Sequence, residues 1–369
     1  MTASVPFMQR ALQLAEYGRG HVSPNPMVGC VLVADRRIIG EGWHRNYGGP
    51  HAEVQAVRDA EKRGNDDLLK SATAYVTLEP CSHFGKTPPC ADLLIDKKIK
   101  KVIIANLDPN PLVAGRGLAR LQNAGIEVES GVLAEQGQEL NRRFFTFFTQ
   151  KRPYVILKWA ETADGFIAGA DGGPIPISNG YSSQRVHRWR SEEDAILVGR
   201  ATALNDNPRL NVRHWPGTNP VRIVLDRNRS LPDSLQIFDQ SQPTIVYNYL
   251  IKTEIPDSPE RYASVPTLAF SQIKKGEDEL SQILADLHQR KIQSVLVEGG
   301  AKVLQSFIKA GQWDEIRRCQ SPLRLDEIHN RRMPPHDEKH GRSVKAPVVA
   351  GILVSSECAG GDLWTCHKP

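Results

Sequence analysis

The stretch His51-Ala52-Glu53 is followed along the chain by Pro80-Cys81 and, after eight intervening residues, by Cys90. The apolar spacing of 51–63 predicts a helix that begins near His51, and 74–78 is predicted to be a short strand. One histidine and two cysteines supply three ligands to a tetrahedral zinc and leave the fourth position open, which is typical of a catalytic site. Glu53 stands two residues from His51, close enough to carry a proton without binding the metal.

This group of residues also has simpler interpretations: a structural zinc, two buried cysteines with an unrelated histidine, or a chance pattern. A structural site needs a fourth protein ligand, for which His44 and His83 are the nearby candidates. In zinc deaminases, a His-x-Glu and Pro-Cys pattern serves the attack of water on a ring carbon, with the glutamate as general acid and base. The pattern therefore favours a deaminase domain.

The bulk composition indicates a two-domain enzyme. The chain has 369 residues, longer than one hydrophobic core usually grows. Hydrophobic residues make up 40% and charged residues 24% of the chain, as in soluble globular proteins. The first thirty residues contain no uninterrupted apolar stretch of a signal peptide, and the longest apolar run, 346–354, is about half of what a membrane span needs. We therefore expect a cytoplasmic protein that does not bind a membrane.

Cysteine usage and charge exclude two further classes. The six cysteines are too sparse for a disulfide framework and are expected to be free or metal-bound in a reducing compartment. The net charge of +5 comes from lysines and arginines scattered among acids rather than from one basic stripe. A deaminase that edits nucleic acid would carry such a stripe, exposed aromatic residues and a Cys-x-x-Cys pair, and the sequence shows none of this pattern. The expected partner is a small molecule.

Apolar periodicity divides the chain near residue 150. Predicted helices and strands alternate up to residue 148, which implies helices packed on a largely parallel or mixed sheet. The segment 135–148 is predicted to be a helix, after which Lys151-Arg152-Pro153 restarts the chain. We predict an N-terminal domain over 1–149 and a C-terminal domain over 150–369. The second half alternates helices and strands again but lacks the Gly-x-Gly-x-x-Gly dinucleotide fingerprint.

Five motifs run through the first half: Pro-Asn-Pro-x-Val-Gly, His-Ala-Glu, Thr-Leu-Glu-Pro-Cys-Ser-His, Gly-Lys-Thr-Pro-Pro-Cys and Asp-Pro-Asn-Pro-x-Val-x-Gly-x-Gly, at 24–29, 51–53, 77–83, 85–90 and 108–117. Together they resemble the bifunctional riboflavin biosynthesis deaminase/reductase family. The resemblance implies a cytidine-deaminase-like three-layer domain in which His51, Cys81 and Cys90 bind zinc and Glu53 is the proton donor. The implied substrate is a 2,5-diamino-6-(ribosylamino)pyrimidinone 5′-phosphate, a pyrimidine ribonucleotide that loses its 2-amino group. Asn25 is expected to contact the pyrimidine, or else is a turn residue held between two prolines.

The second half carries motifs similar to those of the same family's reductase half, at Lys158 with Asp164-Gly165, 187–196, 205–213 and 297–301. The resemblance implies a dihydrofolate-reductase-like α/β domain that uses NADPH to reduce the ribosyl group to a ribityl chain. Four positions fall at cofactor contacts: Ala160, Thr202, Asp206 and Gly300. Four others fall at substrate contacts: Arg190, Leu210, Arg213 and Glu298. Lys158 and Asp206 are the expected participants in proton handling.

Side-chain chemistry supports some of these roles, and several of the residues also have simpler interpretations. Arg190 and Arg213 present a fork of donors suited to the substrate phosphate, but both can be solvated surface charges. The Gly299-Gly300 pair allows close approach of a cofactor phosphate. Asp206 can instead cap a turn, and Glu298 can be a surface residue after a strand.

The segment after Glu315 is the more serious of two departures from the family pattern; the other is at 173–176. After Glu315 the expected strand and Gly-rich turn are replaced by 317–342, which is crowded with Arg, His and Pro. We predict a loop there, with a partner-binding insert and a weakened core edge as the alternatives. The departure raises a second functional hypothesis, a deaminase with an impaired reductase half. The family resemblance also predicts a homo-oligomer.

Overall fold

The computed structural model describes residues 4–82, 88–111, 113–169, 175–253, 267–330, 343–349 and 351–369. The chain forms two compact units, one up to Lys151 and one from Arg152 onward. Within the described residues, no helix combines the length and the apolar character that crossing a membrane requires.

The first unit is built around a five-stranded sheet. Its strands are β1 (Gly29–Ala34), β2 (Arg37–Trp43), β3 (Thr73–Leu78), β4 (Lys101–Asn106) and β5 (Glu127–Ser130). The strand order is β2-β1-β3-β4-β5, in which β1 runs antiparallel to both neighbours and β3, β4 and β5 are parallel. The carboxyl ends of β3 and β4 therefore lie side by side.

Helices cover both faces of this sheet and make three layers. They are α1 (Val5–Glu16), α2 (Ala52–Lys62), α3 (Cys90–Asp96), α4 (Arg116–Asn123), α5 (Ala134–Leu140) and α6 (Arg142–Gln150), with a 3-10 turn at Asp66–Ser71. Strand β1 is buried throughout, and its side chains alternate between the two layers. Val31 packs with α1, whereas Leu32 packs with Ala56 of α2.

The segment predicted as one helix over 135–148 is two helices that meet at Asn141. The Asn141 side chain is buried and exchanges two hydrogen bonds of 2.8 Å with the backbone of Met27. Because the helix is interrupted at Asn141, its side chain can hold the turn that carries Asn25.

The second unit contains a nine-stranded sheet. Its strands are β6 (Tyr154–Glu161), β8 (Ala195–Gly199), β9 (Val221–Leu225), β10 (Thr244–Asn248), β11 (Leu268–Gln272), β12 (Ser294–Val297), β13 (Glu315–Gln320), β15 (Ile352–Ala359) and β16 (Asp362–Lys368). A separate pair is formed by β7 (Phe166–Ala168) and β14 (Val344–Lys345). The order of the large sheet is β11-β10-β9-β8-β12-β6-β13-β16-β15, parallel from β11 to β13 and antiparallel beyond.

The helices of the second unit connect these strands. They are α7 (Gly180–Glu192), α8 (Arg200–Asp206), α9 (Glu279–Gln289), α10 (Ala301–Lys309) and α11 (Leu325–Asn330), with a 3-10 turn at Gln236–Phe238. Helix α8 begins directly after the carboxyl end of β8, and α10 follows that of β12 after residues 298–300. This end of a parallel sheet is where open α/β folds bind their ligands.

The prediction of a loop over 317–342 in place of a strand is wrong at its start, because Glu315–Gln320 form strand β13. Arg317 is only 5% exposed because its guanidinium bonds to the carboxylate of Glu315 and lies over the ring of Trp189, 4.4 Å from the ring centroid. Internal partners thus let a basic run form a central strand, and α11 follows it. Residues 331–342 of the predicted loop lie outside the described part of the chain.

Candidate active sites

The three predicted zinc ligands come together in the first unit. His51 directly precedes α2, Cys81 follows β3, and Cys90 is the first residue of α3. The sulfur atoms of Cys81 and Cys90 lie 3.6 and 3.3 Å from His51 Nδ1, and all three ligand atoms lie within 4.8 Å of one another. A tetrahedral zinc ion with ordinary bond lengths separates sulfur and nitrogen ligands by about 3.5 Å. The donor set and its spacing therefore fit zinc, and no other such group of ligands occurs among the described residues.

The surroundings of the Cys81 thiol favour the form that binds a metal. Hydrogen bonds from the Cys90 thiol, from His51 and from the Cys90 backbone N–H lower the pKa of the Cys81 thiol to about 4, against the desolvation that raises it. The thiolate is the form of cysteine that binds zinc. Cys81 therefore provides a negatively charged ligand at neutral pH.

Glu53 lies in the first turn of α2 and is 3% exposed. Burial raises the pKa of its carboxyl above the ordinary value. The neighbours that contribute to this pKa are the three predicted metal ligands, His51, Cys81 and Cys90. A carboxyl held beside this group with a raised pKa is suited to accept a proton and to return it.

The structure brings Asn25 to this site through His44. The Asn25 side-chain amide donates to His44 Nε2 at 3.1 Å, and His44 Nδ1 donates to the carbonyl oxygen of Pro50 at 3.2 Å. Burial lowers the pKa of His44, so this imidazole is neutral, and its ring packs edge-on against His51. His44, considered from the sequence as a fourth ligand, is not part of the ligand group. The other candidate, His83, lies outside the described residues.

A cavity of about 620 Å³ opens in the second unit at the carboxyl ends of β6, β8 and β12. It is lined by all four of the predicted cofactor positions and by two further predicted residues: Ala160, Thr202, Asp206, Gly300, Lys158 and Glu298. Desolvation raises the pKa of Asp206, which favours a carboxyl that can donate a proton.

Glu298 is the electrostatic centre of this cavity. It accepts two hydrogen bonds of 2.8 Å from Arg190 and lies 3.9 Å from Lys158 Nζ. The charges of Arg190 and Lys158 lower the pKa of Glu298 to about 2, against the desolvation that raises it. The Arg190 guanidinium also donates to the carbonyl oxygen of Asn211, so Arg190 is held inside the protein rather than exposed as a surface charge.

Three of the four predicted substrate residues, Arg190, Leu210 and Arg213, are not among the residues that line the cavity. The Leu210 side chain is buried in an apolar cluster with Val198 and Val224. Arg213 is exposed, and its backbone N–H donates to His187 Nδ1 at 3.3 Å. Desolvation and the charges of Arg190 and Arg209 lower the pKa of Arg213. The arginines thus form a cluster with excess positive charge beside the Glu298 carboxylate.

The start of α10 fits the phosphates of a dinucleotide. Gly300 has φ of +56°, and a Cβ on Gly299 would lie 2.5 Å from the Cα of Val198, so this turn approaches β8 as only glycine allows. No side chain caps the helix, and its first residues line the cavity, which leaves backbone N–H groups for an anion. Besides Lys158, three basic side chains line the same cavity: Arg200, Arg227 and Lys302. The donor set is that of a phosphate-bearing cofactor.

Sequence reasoning missed three residues that hold these sites together. Glu79 is part of the Thr-Leu-Glu-Pro-Cys motif, so the motif itself was a signal. Asn141 had no such signal, because its partner Met27 lies 114 positions away along the chain. His187 belongs to the motif at 187–196, but the motif does not indicate the hydrogen bond that His187 accepts from the Arg213 backbone.

Two family models match the chain. Residues 1–106 match the cytidine and deoxycytidylate deaminase zinc-binding region, and residues 153–346 match the RibD C-terminal domain. The fold and the two sites accordingly define a zinc-dependent deaminase joined to an NADPH-dependent reductase.

Relatives of known name share both halves. The chain is 43% identical over 312 residues to the riboflavin biosynthesis protein RibD of Aquifex aeolicus (strain VF5), which covers 84% of each chain. The crystal structure of a Thermotoga maritima deaminase/reductase is similar over 100% of this chain and 99% of that one, with 38% identity and a TM-score of 0.82. A structure of Acinetobacter baumannii RibD matches with the same coverage, 34% identity and a TM-score of 0.83. The chain belongs to the RibD family, the bifunctional deaminase/reductases of riboflavin biosynthesis.

Proposed function

We propose that the first unit removes the 2-amino group of 2,5-diamino-6-(ribosylamino)-4(3H)-pyrimidinone 5′-phosphate as ammonia, and that the second unit reduces the ribosyl group of the product to a ribityl chain. The Thermotoga maritima protein is named for these substrates, as a diaminohydroxyphosphoribosylaminopyrimidine deaminase and 5-amino-6-(5-phosphoribosylamino)uracil reductase. The observation that carries the proposal is one chain with both the His51, Cys81 and Cys90 group and a cavity lined by Lys158 and Glu298.

In the deaminase half, His51, Cys81 and Cys90 hold the zinc, which when bound makes water nucleophilic at neutral pH. Glu53 accepts a proton from water and returns it to the departing amino group. Asn25 contacts the pyrimidine, and its hydrogen bond with His44 fixes the direction of its amide. The buried position of Glu53 supports this role, because desolvation favours the protonated carboxyl during the cycle.

In the reductase half, Ala160, Thr202, Asp206 and Gly300 hold NADPH, which when bound supplies hydride. Hydride is added at C1′ of the ribose, the bond from C1′ to the ring oxygen breaks, and that oxygen takes up a proton. Lys158 and Asp206 handle this proton, since both line the cavity.

Arg190, Leu210, Arg213 and Glu298 are the proposed substrate positions. The exposed Arg213, in its cluster of like charges, is suited to the substrate phosphate. Glu298 contributes as the carboxylate that fixes Arg190 and faces Lys158. The presence of strand β13, and of a cavity lined by all four predicted cofactor residues, favours an active reductase half over an impaired one.

The proposal extends to the organisation of the protein. We assign the deaminase to 1–149 and the reductase to 150–369, in keeping with the two compact units. The sheet edge β15 exposes Ile352, Leu353 and Val354 at 72%, 54% and 56%, which supports a homo-oligomer that covers them. All six cysteines lie outside disulfide bonds, which supports a cytoplasmic location, where thiols stay reduced.

The test is one assay on the purified, zinc-loaded protein with the diaminopyrimidine nucleotide and NADPH. Ammonia release and NADPH oxidation are followed in the same cuvette. We expect both, with NADPH oxidation dependent on prior deamination. Ammonia alone would establish the impaired reductase instead, and no ammonia would overturn the proposed function.

A further inference from the structure

Glu79 is a buried carboxylate, 4% exposed, that bonds to one segment of the chain through four backbone N–H groups. Its Oε2 accepts from Asp108 and Gly115 at 3.3 and 2.9 Å. Its Oε1 accepts from Gly117 and Leu118 at 2.9 and 3.3 Å. None of the salt bridges between described residues involves Glu79, so backbone amides provide the stabilisation that a buried charge requires.

Three of these donors belong to the start of α4. Gly115 is its N-cap residue, with φ of +76° and no side chain to cap the helix, and Gly117 and Leu118 lie in its first turn. The unpaired N–H groups of a helix start are usually satisfied by a side chain next to them in sequence. Here the cap comes from Glu79, which directly follows strand β3 and is distant from the helix along the chain. The cap is charged, which the helix dipole favours.

The same residue is tied to the metal-ligand segment. Glu79 stands two positions before Cys81, and its backbone N–H donates to the carbonyl oxygen of Asn106 at 3.0 Å, which extends the pairing of β3 with β4. Gly117 lies so close to Pro80 that a Cβ there would be 2.1 Å from the Pro80 carbonyl oxygen. The start of α4 is therefore packed directly against the backbone that leads into Cys81.

The segment held by Glu79 borders the deaminase site. Asp108, at its beginning, is 9% exposed and close enough to Cys81 for their charges to interact. Ser82, which follows Cys81, lines a surface cavity together with Arg116 and Asn123 of α4. Because the ends of parallel neighbouring strands form one binding edge, the position of this segment sets one wall of the space beside the zinc ligands.

We propose that Glu79 is a positioning residue of the deaminase: its carboxylate fixes residues 108 and 115–118 against the Pro80-Cys81 backbone and thereby sets the wall against which the pyrimidine nucleotide binds. This inference rests on the proposed deaminase function. It assigns Glu79 no contact with zinc or with substrate. Its effect is on substrate affinity and on the order of the segment.

The substitution Glu79→Gln tests this role with a side chain of the same size. The amide keeps one oxygen acceptor but turns an NH₂ group toward two backbone N–H donors, so half of the contacts become repulsive. We expect the KM of ammonia release to rise about tenfold, since hydrogen bonds to a charged group are lost, with a smaller change in kcat and with zinc retained. Hydrogen exchange should become faster at the amides of 108–118. NADPH oxidation with the deaminated substrate should be unchanged, because the reductase cavity lies in the second unit, and retained zinc shows that the first unit is folded.

Gly117→Ala provides a second route to the same result, because its Cβ moves α4 away from Pro80 and leaves the carboxylate in place. The matched control is Glu129→Gln, which removes a carboxylate from the edge strand β5, where Glu129 is paired with Lys101 and is 44% exposed. This control should leave both the KM and the exchange of 108–118 as in the parent.

An unchanged KM in both Glu79→Gln and Gly117→Ala would overturn the inference. Loss of zinc from Glu79→Gln with a normal KM after zinc is restored would also overturn it, because the carboxylate would then serve only the ligand segment. If the parent protein releases no ammonia, the proposed function fails, and hydrogen exchange still decides: faster exchange at 108–118 in Glu79→Gln supports the positioning role, and equal exchange contradicts it.

Discussion

Glu298 and Arg190 form a bidentate salt bridge, in which both carboxylate oxygens accept hydrogen bonds of 2.8 Å from the guanidinium. The Arg190 and Glu298 side chains are 12% and 8% exposed, and Lys158 Nζ lies 3.9 Å from the same carboxylate. Two cations therefore share one anion at the wall of the reductase cavity. The charge of Glu298 is what keeps Lys158 and Arg190 in place.

Glu298→Gln should impair the reductase and destabilise the protein together. Leaving a buried arginine without its carboxylate costs about 3 kcal/mol of unfolding free energy. Displacement of Lys158 should slow NADPH oxidation about a hundredfold. Chemical denaturation and steady-state NADPH oxidation measure the two effects, with ammonia release as the internal reference. Glu357→Gln, which breaks the exposed pair with Arg185, is the control and should change neither.

Glu53→Gln should separate proton transfer from metal binding. The amide cannot exchange a proton, so ammonia release should fall about a thousandfold, whereas the zinc content stays at that of the parent because Glu53 is not a ligand. Metal analysis and ammonia assays on one preparation test this. Glu61→Gln, on the same helix and paired with Lys97, should retain full activity. Loss of zinc from Glu53→Gln would place this carboxylate among the ligands and refute its role.

Arg213→Ala should weaken binding of the reductase substrate without unfolding the protein. Within the described residues, its guanidinium donates a hydrogen bond to Asn211 Oδ1 at 3.1 Å. Desolvation lowers its pKa, and Arg190 and Arg209, which carry the same charge, lie close enough to lower it further. Removal of one phosphate contact should raise the KM about tenfold, and high salt should reduce the difference. Lys309→Ala, an exposed cation in the last turn of α10, is the control. A parent-like KM in Arg213→Ala would exclude the phosphate role.

His187 should make the protein less stable in mild acid. Desolvation and the charges of Arg190 and Arg213 lower the pKa of His187 from 6.5 to about 4. The unfolded chain therefore binds the proton more tightly than the folded one, and stability is lost as the pH falls from about 6.5 to about 4.

His187→Gln should remove this part of the pH dependence, about 1–2 kcal/mol, because glutamine keeps an acceptor for the Arg213 backbone N–H but does not titrate. Urea denaturation at pH 7 and pH 4.5 measures it. The exposed His21→Gln serves as control. Equal losses in parent and His187→Gln between these pH values would show that His187 is not the group responsible.

The deaminase centre was predictable because its chemistry is local. His51, Cys81 and Cys90 stand at the starts of helices or after a strand, and Glu53 is fixed to His51 by one turn of α2. Alternating periodicity also located the strands of the first unit, since residues on β1 alternate between two apolar layers.

Only the tertiary structure decided which charged residues pair with each other. Arg190 pairs with Glu298, which lies 108 positions further along the chain. The sequence around an arginine does not show whether it binds a phosphate or pairs with a carboxylate. Strand β13 was missed for the same reason, because burial of Arg317 depends on Trp189 from another element.

The sequence by itself determined the fold class, the family and the candidate metal ligands, because short motifs and periodic apolar residues specify local backbone geometry. The tertiary structure alone determined that Glu79 caps a distant helix, that Asn141 holds Met27, and that Leu210 points into the core. These contacts are set by the packing of whole layers, and a charge or an amide acquires its partner only when that packing brings distant residues together.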